Sequence, residues 1–205
     1  MITLYWCPRT RASRILWLLE EMGEPFELRT IDIRKPEARA DPGFRAASPM
    51  GKVPAICDGE GERAVRMADS SAIGLYLADR YPARGLAPAV DDPLRGRYLY
   101  WMTFTPGVVE PAMSEKFNNW KVSRATSGWG DFGSMIEVLE AGLDPGPWLL
   151  GDRFSAADVL VGSSVYFMKL FNILPDSKPL LGYAERCLAR PAYQKALARD
   201  AEMDG

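Results

Sequence analysis

Strand-forming patterns occur only in the N-terminal part of this 205-residue chain and end at a proline-rich stretch, PARGLAPAVDDP (residues 82–93). After it every periodic segment is helical. A sheet can therefore form only from the first part, and the remainder must bury its apolar surface as helix against helix. Within the first part, Ile2 to Trp6 is short and rich in β-formers, and Ile15, Leu18, Leu19 and Met22 recur at helical spacing until Gly23. Residues 26–33 alternate Phe26, Leu28 and Ile31 with charges, as a strand does, whereas 35–48 are polar and read as an irregular connection. Residues 53–57 form an apolar strand, Asp58-Gly59-Glu60-Gly61 a turn, and 63–67 the returning strand of a hairpin. Asp69 caps a helix with the apolar face Ala72, Ile73, Tyr76 and Leu77, which ends at Tyr81-Pro82. The order is βαβ followed by ββα over residues 1–82. A linker occupies 83–93, and an all-helical domain 94–205.

The helical part opens with a long aromatic segment from Leu94 to Met113 that should bend at Pro106-Gly107. A second amphipathic segment runs over 132–143, and a rigid Asp-Pro-Gly-Pro-Trp loop follows at 144–148. In the run from Gly151 to Asp158, Ser155 stands as N-cap and Asp158 as the acid three residues on, with Phe154 and Val159 placed for a hydrophobic staple. The helix behind it, to Phe171, is apolar nearly all round and carries Gly162, Ser163 and Ser164, which marks it as the central core helix. Segments 180–189 and 191–199 complete the chain, the latter opening on Pro191.

Composition removes several function classes. A net charge of −2 without any long basic run offers little to a phosphate backbone, so nucleic acid is not an expected partner. No apolar stretch reaches the ~18 residues of a membrane span, and the start lacks a secretory pattern, which gives the expectation of a cytoplasmic protein without membrane partners. Cys7, Cys57 and Cys187 are too scattered for a disulfide framework or a zinc site. With no histidine at all, Ser-His and Cys-His pairs and histidine metal sites are excluded, so no metal is expected. Catalysis must then use another acid or base, or a substrate that is itself nucleophilic.

Four segments together resemble the cytosolic glutathione transferase family: ITLYWCPRTRASRILWLLEEMGEPFE, SPMGKVPAI, MADSSAIGLYLADRYP and LLGDRFSAADVLV. The resemblance implies a thioredoxin-like N-terminal domain and an all-helical C-terminal domain. It further implies glutathione as cosubstrate, a small hydrophobic electrophile as second substrate, and a homodimer. On the matching positions Val53, before a cis Pro54, grips the cysteinyl part of glutathione, while Asp69 and Ser70 at a helix start receive the γ-glutamyl group and Lys52 the glycyl carboxylate. The family more often carries Glu or Gln where Asp69 stands.

For activation of the thiol, Thr10 lies near the hydroxyl position of serine-type members, four residues before Arg14, and Ser13 lies one residue before it. Cys7, followed by Pro8, has the spacing of a reactive Cys-Pro in cysteine-type members. Both Thr10 and Cys7 stand as catalytic candidates, the first for conjugation, the second for glutathione-dependent disulfide reduction. Tyr5 is expected in the core, as are Cys57 and Cys187. Tyr100 and Phe104, with Trp101 and Pro106 nearby, are the candidates for the hydrophobic substrate site. A non-catalytic binding module of the same fold is the remaining alternative.

Overall fold

The computed structural model describes residues 1–202. Its sheet has four strands, β1 (Ile2–Trp6), β2 (Phe26–Thr30), β3 (Ala55–Asp58) and β4 (Val65–Ala68), in the order β2-β1-β3-β4. β1 and β2 are parallel, as a helical crossover requires, and β1–β3 and β3–β4 are antiparallel. The thioredoxin-like order anticipated from the sequence is present.

The crossover helix α1 (Ala12–Met22) buries Ile15, Leu16, Leu18 and Leu19 and ends on Gly23 at φ 64°, a left-handed cap that glycine adopts freely. Between β2 and β3 the chain is more regular than its polarity suggests. Two short helices, α2 (Pro36–Arg39) and α3 (Pro42–Ala47), each begin on proline, and Asp41 caps α3 by accepting from the Phe44 N–H at 2.7 Å. These helices are too short for hydrophobic periodicity to reveal them. Packing fixes the second of them: Phe44 is fully buried and its ring lies 5.8 Å from that of Tyr5. α4 (Ser70–Arg80) follows β4, and α1 and α4 pack on each other and on the sheet.

The helical part comprises α5 (Arg95–Phe104), α6 (Glu110–Asn118), α7 (Phe132–Gly142), α8 (Ala156–Leu170), α9 (Lys178–Leu188) and α10 (Pro191–Glu202). At the expected bend the structure has a short π-helix, Thr105–Val109, between α5 and α6. Pro106 has no N–H to give to the preceding turn, which favours the widened hydrogen-bond spacing there. On α7, Gly142 is required by the ring of Trp101, which occupies the space a Cβ would take. α8 is buried over most of its surface, from Ala156 to Val165, as its composition predicts. Among the described residues no helix is long and apolar enough to cross a membrane.

The chain divides into two compact units, residues 1–84 with 190–205, and residues 85–189. The last helix thus belongs with the first unit, whereas the sequence reading carries one helical domain over 94–205. The reason is packing that no local pattern announces. α10 docks on α1 through an edge-on contact of Trp17 with Tyr193 at 5.1 Å, a bidentate Arg190–Glu21 pair at 2.5 and 2.8 Å, and an Arg199–Glu20 pair at 2.7 Å.

Candidate active site

Strand register, more than sequence proximity, assembles the site. Tyr5 of β1 pairs with Ala55 of β3, and Ala55 pairs with Ala68 of β4, while Trp6 pairs with Thr30 of β2. The segments just beyond these pairs therefore meet at one end of the sheet: Cys7–Thr10 after β1, residues 31–34 after β2, Val53-Pro54 before β3, and Asp69-Ser70 after β4. Five of the sequence-predicted residues come to this end with Cys7 and Thr10: Lys52, Val53, Pro54, Asp69 and Ser70.

A cavity of about 400 Å³ opens beyond the parallel pair, lined by Cys7, Pro8, Arg9, Thr10, Thr30, Asp32, Ile33 and Arg34. It lies outside the carboxyl ends of β1 and β2, where a parallel crossover leaves room and a helix N-terminus faces the opening. Cys7 is buried and Arg9 takes a left-handed backbone (φ 57°). The Thr10 hydroxyl donates to the Cys7 carbonyl at 2.7 Å and accepts from the Ala12 N–H at 3.2 Å, so its one proton already has an acceptor. The Thr10 main-chain N–H has no partner among the described residues. Ser13 turns elsewhere, donating to Asp200 at 3.2 Å. On the opposite wall the Arg34 guanidinium, 2.7 Å from Asp32, holds that carboxyl below its usual range and so keeps it ionised.

The second segment is held by one buried hydroxyl. Ser48 Oγ donates to the Lys52 carbonyl at 2.7 Å and accepts from the Lys52 N–H at 2.9 Å, across a tight turn in which Gly51 (φ 64°) accommodates the left-handed step. Val53-Pro54 is cis, as the resemblance implies. Neither the N–H nor the C=O of Val53 has a hydrogen-bond partner among the described residues. An unpaired peptide group at a sheet end is a ready docking edge for another peptide. Lys52 is exposed and has no ion pair among the described residues, and the same holds for Arg39 and Arg45, whose side chains flank Gly51. Sequence reasoning missed both arginines and Ser48. Arg39 and Arg45 belong to the segment it takes as irregular, and nothing local links them to Lys52.

Asp69 is strained, with φ 78° and ψ 124°, a conformation that costs a non-glycine residue on the order of 1–3 kcal/mol. Its Oδ1 accepts from the Ser71 N–H at 2.8 Å and the Ala72 N–H at 3.2 Å, and its Oδ2 has no hydrogen-bond partner among the described residues. The hydroxyl and N–H of Ser70 are likewise without partners among the described residues. Cap and open carboxylate oxygen thus coexist on one residue.

In the second unit, Tyr100, Trp101 and Phe104 form one aromatic cluster with ring separations of 5.0 to 5.4 Å. Phe104 and Trp101 are buried, while Tyr100 is 48% exposed. Partial burial raises the Tyr100 phenol above its ordinary range, so it remains a hydrogen-bond donor at neutral pH. Cys187 is buried, and Cys57 packs against the cluster of Tyr5, Ile31 and Phe44.

Residues 6–80 match the family model for the N-terminal domain of glutathione S-transferases, and residues 87–186 match that for their C-terminal domain. The chain is 28% identical to the disulfide-bond oxidoreductase YfcG of Escherichia coli over 97% of its own length and 95% of that protein's. Among solved structures it is similar to a glutathione transferase from Methylococcus capsulatus, with a TM-score of 0.81 at 29% identity, covering 98% of this chain and 99% of that one. A sphingomonad glutathione S-transferase complexed with glutathione gives a TM-score of 0.76 at 28% identity, covering 97% and 98%.

Proposed function

Because the chain belongs to the glutathione S-transferase family, and is in that sense a glutathione-dependent transferase, we propose that it binds glutathione at this end of the sheet and transfers its thiolate to a small apolar electrophile. The observation that carries the reading is the convergence, through strand register, of an unpaired Val53 peptide, an open Asp69 carboxylate and the cavity at the start of α1. Each suits a different part of the tripeptide. Val53 pairs with the cysteinyl main chain. Asp69 Oδ2 takes the γ-glutamyl ammonium, and the Ser70 N–H and hydroxyl take its carboxylate. Lys52, with Arg39 and Arg45 around Gly51, receives the glycyl carboxylate.

The cysteinyl sulfur then reaches the Cys7–Thr10 cavity. A thiol of ordinary pKa near ~8.5 is mostly protonated at neutral pH, and each unit by which it is lowered needs ~1.4 kcal/mol of preference for the thiolate. The Thr10 main-chain N–H, the Thr10 hydroxyl once turned from the Cys7 carbonyl, and the N-terminal end of α1 supply it. The apolar acceptor is assigned to the aromatic surface that includes Tyr100, with Phe104 and Trp101 supporting it from the core.

A second reading has a specific observation behind it. Cys7 lines the cavity while its carbonyl holds the Thr10 proton, an arrangement suited to a cysteine nucleophile. In that reading the Cys7 thiolate attacks the glutathionyl sulfur of a mixed disulfide and releases the substrate thiolate. A glutathione thiolate then attacks the Cys7 sulfur–glutathione bond, giving oxidised glutathione and regenerating Cys7.

The two readings separate in one experiment. With a chloro-dinitrobenzene-type electrophile, Cys7→Ser should keep the conjugation rate within about threefold, and Thr10→Ala should lower it at least tenfold, the equivalent of ~1.4 kcal/mol in the transition state. A glutathione adduct on the intact protein after incubation with oxidised glutathione, abolished in Cys7→Ser, would instead establish the reductase. Neither conjugation, adduct nor retention on immobilised glutathione would discard both in favour of a non-catalytic module. The Ser48 clamp gives a further check. Ser48→Ala frees both Lys52 main-chain groups and should raise the glutathione KM about three- to tenfold, the range of one ordinary hydrogen bond, with kcat unchanged.

A further inference from the structure

The loop that carries Cys7 and Thr10 is held from the far end of the chain. The half-buried Asp200, on α10, accepts the Arg9 main-chain N–H on both carboxylate oxygens at 3.3 Å, and its Oδ1 also accepts the Ser13 hydroxyl at 3.2 Å. Arg9 is in the left-handed region (φ 57°), which crowds its Cβ and which residues other than glycine adopt uncommonly. Pro8, just before it, has no N–H to contribute. Arg9 and Ser13 bracket Thr10, whose hydroxyl in turn ties the Cys7 carbonyl to the first turn of α1. One carboxylate therefore fixes both sides of the residues that face the cavity. It is itself carried on a helix clamped to α1 by the Arg190–Glu21 and Arg199–Glu20 pairs.

We propose that Asp200 is a positioning residue for the thiol-handling loop: by accepting the Arg9 N–H and the Ser13 hydroxyl it keeps Arg9 left-handed and thereby aligns Cys7 and Thr10 at the cavity. As a statement about catalysis this rests on the glutathione reading above. As a statement about the loop it does not. The charge matters because a carboxylate can accept on both oxygens at once, whereas an amide keeps one acceptor and places a donor against the Arg9 N–H.

The test uses the full chain without ligand as well as the turnover assay. Iodoacetamide labelling of Cys7, followed by peptide mass, reads loop opening directly, since Cys7 is only 5% exposed. Asp200→Ala should speed that labelling at least fivefold, Asp200→Asn by less, and amide exchange at residues 9–13 should rise with it. In turnover, Asp200→Ala should lower kcat about tenfold and change the glutathione KM less than threefold. Arg190→Met, which breaks the neighbouring clamp, should lower the melting temperature while leaving Cys7 labelling and kcat within twofold of wild type. In an Arg9→Gly background, where glycine adopts the left-handed step without cost, adding Asp200→Ala should change kcat less than threefold. Unchanged labelling in Asp200→Ala, an equal effect from Arg190→Met, or an undiminished Asp200→Ala effect on Arg9→Gly would each overturn the proposal. If wild type shows no glutathione chemistry, the functional reading fails while the labelling result still decides the role of Asp200.

Discussion

Asp158→Ala is expected to destabilise the protein by about 3 kcal/mol at neutral pH, because several buried donors lose their acceptor at once and each orphaned donor costs about 1–3 kcal/mol. The carboxylate is fully buried and receives the Leu149 N–H at 2.9 Å and the Tyr183 hydroxyl at 3.0 Å on Oδ1, and the Ser155 N–H at 2.9 Å and hydroxyl at 3.2 Å on Oδ2. It closes the first turn of α8 and ties to it both the loop before it and α9. Against this stands the cost of burying a charge. Burial pushes the Asp158 carboxyl up to about 6 from 3.8 even though all four donors act to lower it. Burial of the charge thus offsets about 3 kcal/mol of what the four hydrogen bonds contribute.

The sign follows from linkage. The folded carboxyl holds its proton more tightly than the unfolded one, so its contribution to stability is fully present below about 3.8 and is lost as pH rises through about 6. Asp158→Asn removes that titration but turns an amide N–H toward the Ser155 N–H, so it should cost about 2 kcal/mol at pH 7. The gap between wild type and Asp158→Asn should then widen as pH falls from 7 to 5. Urea unfolding followed by far-UV circular dichroism at both values reads it. A loss below about 1 kcal/mol in Asp158→Ala, or a gap that narrows on acidification, would refute this account of the α8 cap.

The second large effect is expected at Asp69, where two variants separate two jobs. Asp69→Asn keeps an oxygen where Oδ1 accepts the Ser71 and Ala72 N–H groups, so stability should shift by less than about 0.5 kcal/mol. It removes the negative charge, and with it the charge-assisted bond proposed for the γ-glutamyl ammonium, worth about 1.5–3 kcal/mol; the glutathione KM should rise at least tenfold. Asp69→Ala loses the cap as well, adding about 1 kcal/mol of destabilisation to the same rise in KM. Steady-state kinetics with glutathione varied, together with thermal unfolding of each variant, measures both. An unchanged KM in Asp69→Asn would mean that the strained backbone at φ 78° serves the helix start alone.

The order of elements along the chain and the central helix were legible because their signals are local. Alternation at 26–33, the turn residues at 58–61 and the Ser155–Asp158 box each act within a few residues, and the elements stand within a few residues of those signals: β2 ends at Thr30, and a 3-10 turn over Gly61–Arg63 delays β4 to Val65. The bend at Pro106-Gly107 was legible too, since a missing N–H is a property of one residue, although its form as a π-helix depends on the turn around it. α2 and α3 were not legible, because four and six residues are too few for a period to show, and the burial of Phe44 against Tyr5 is settled between distant segments.

By itself the sequence determined which residue types are present to do chemistry, and which elements carry them. The absence of histidine excluded histidine-based chemistry, and the resemblance of the segments that carry Cys7, Thr10, Val53 and Asp69 to the glutathione transferase family implied a thiol-handling site. Tertiary structure decided what those residues are attached to. Strand register brought four separated segments to one end of the sheet, and packing of the last helix on the first set Asp200 beside Arg9 across 191 positions of sequence. A hydrogen bond between distant residues leaves no mark on the local pattern of either, because each partner alone reads as a solvated polar side chain or an ordinary loop amide; only the folded path of the chain makes them neighbours.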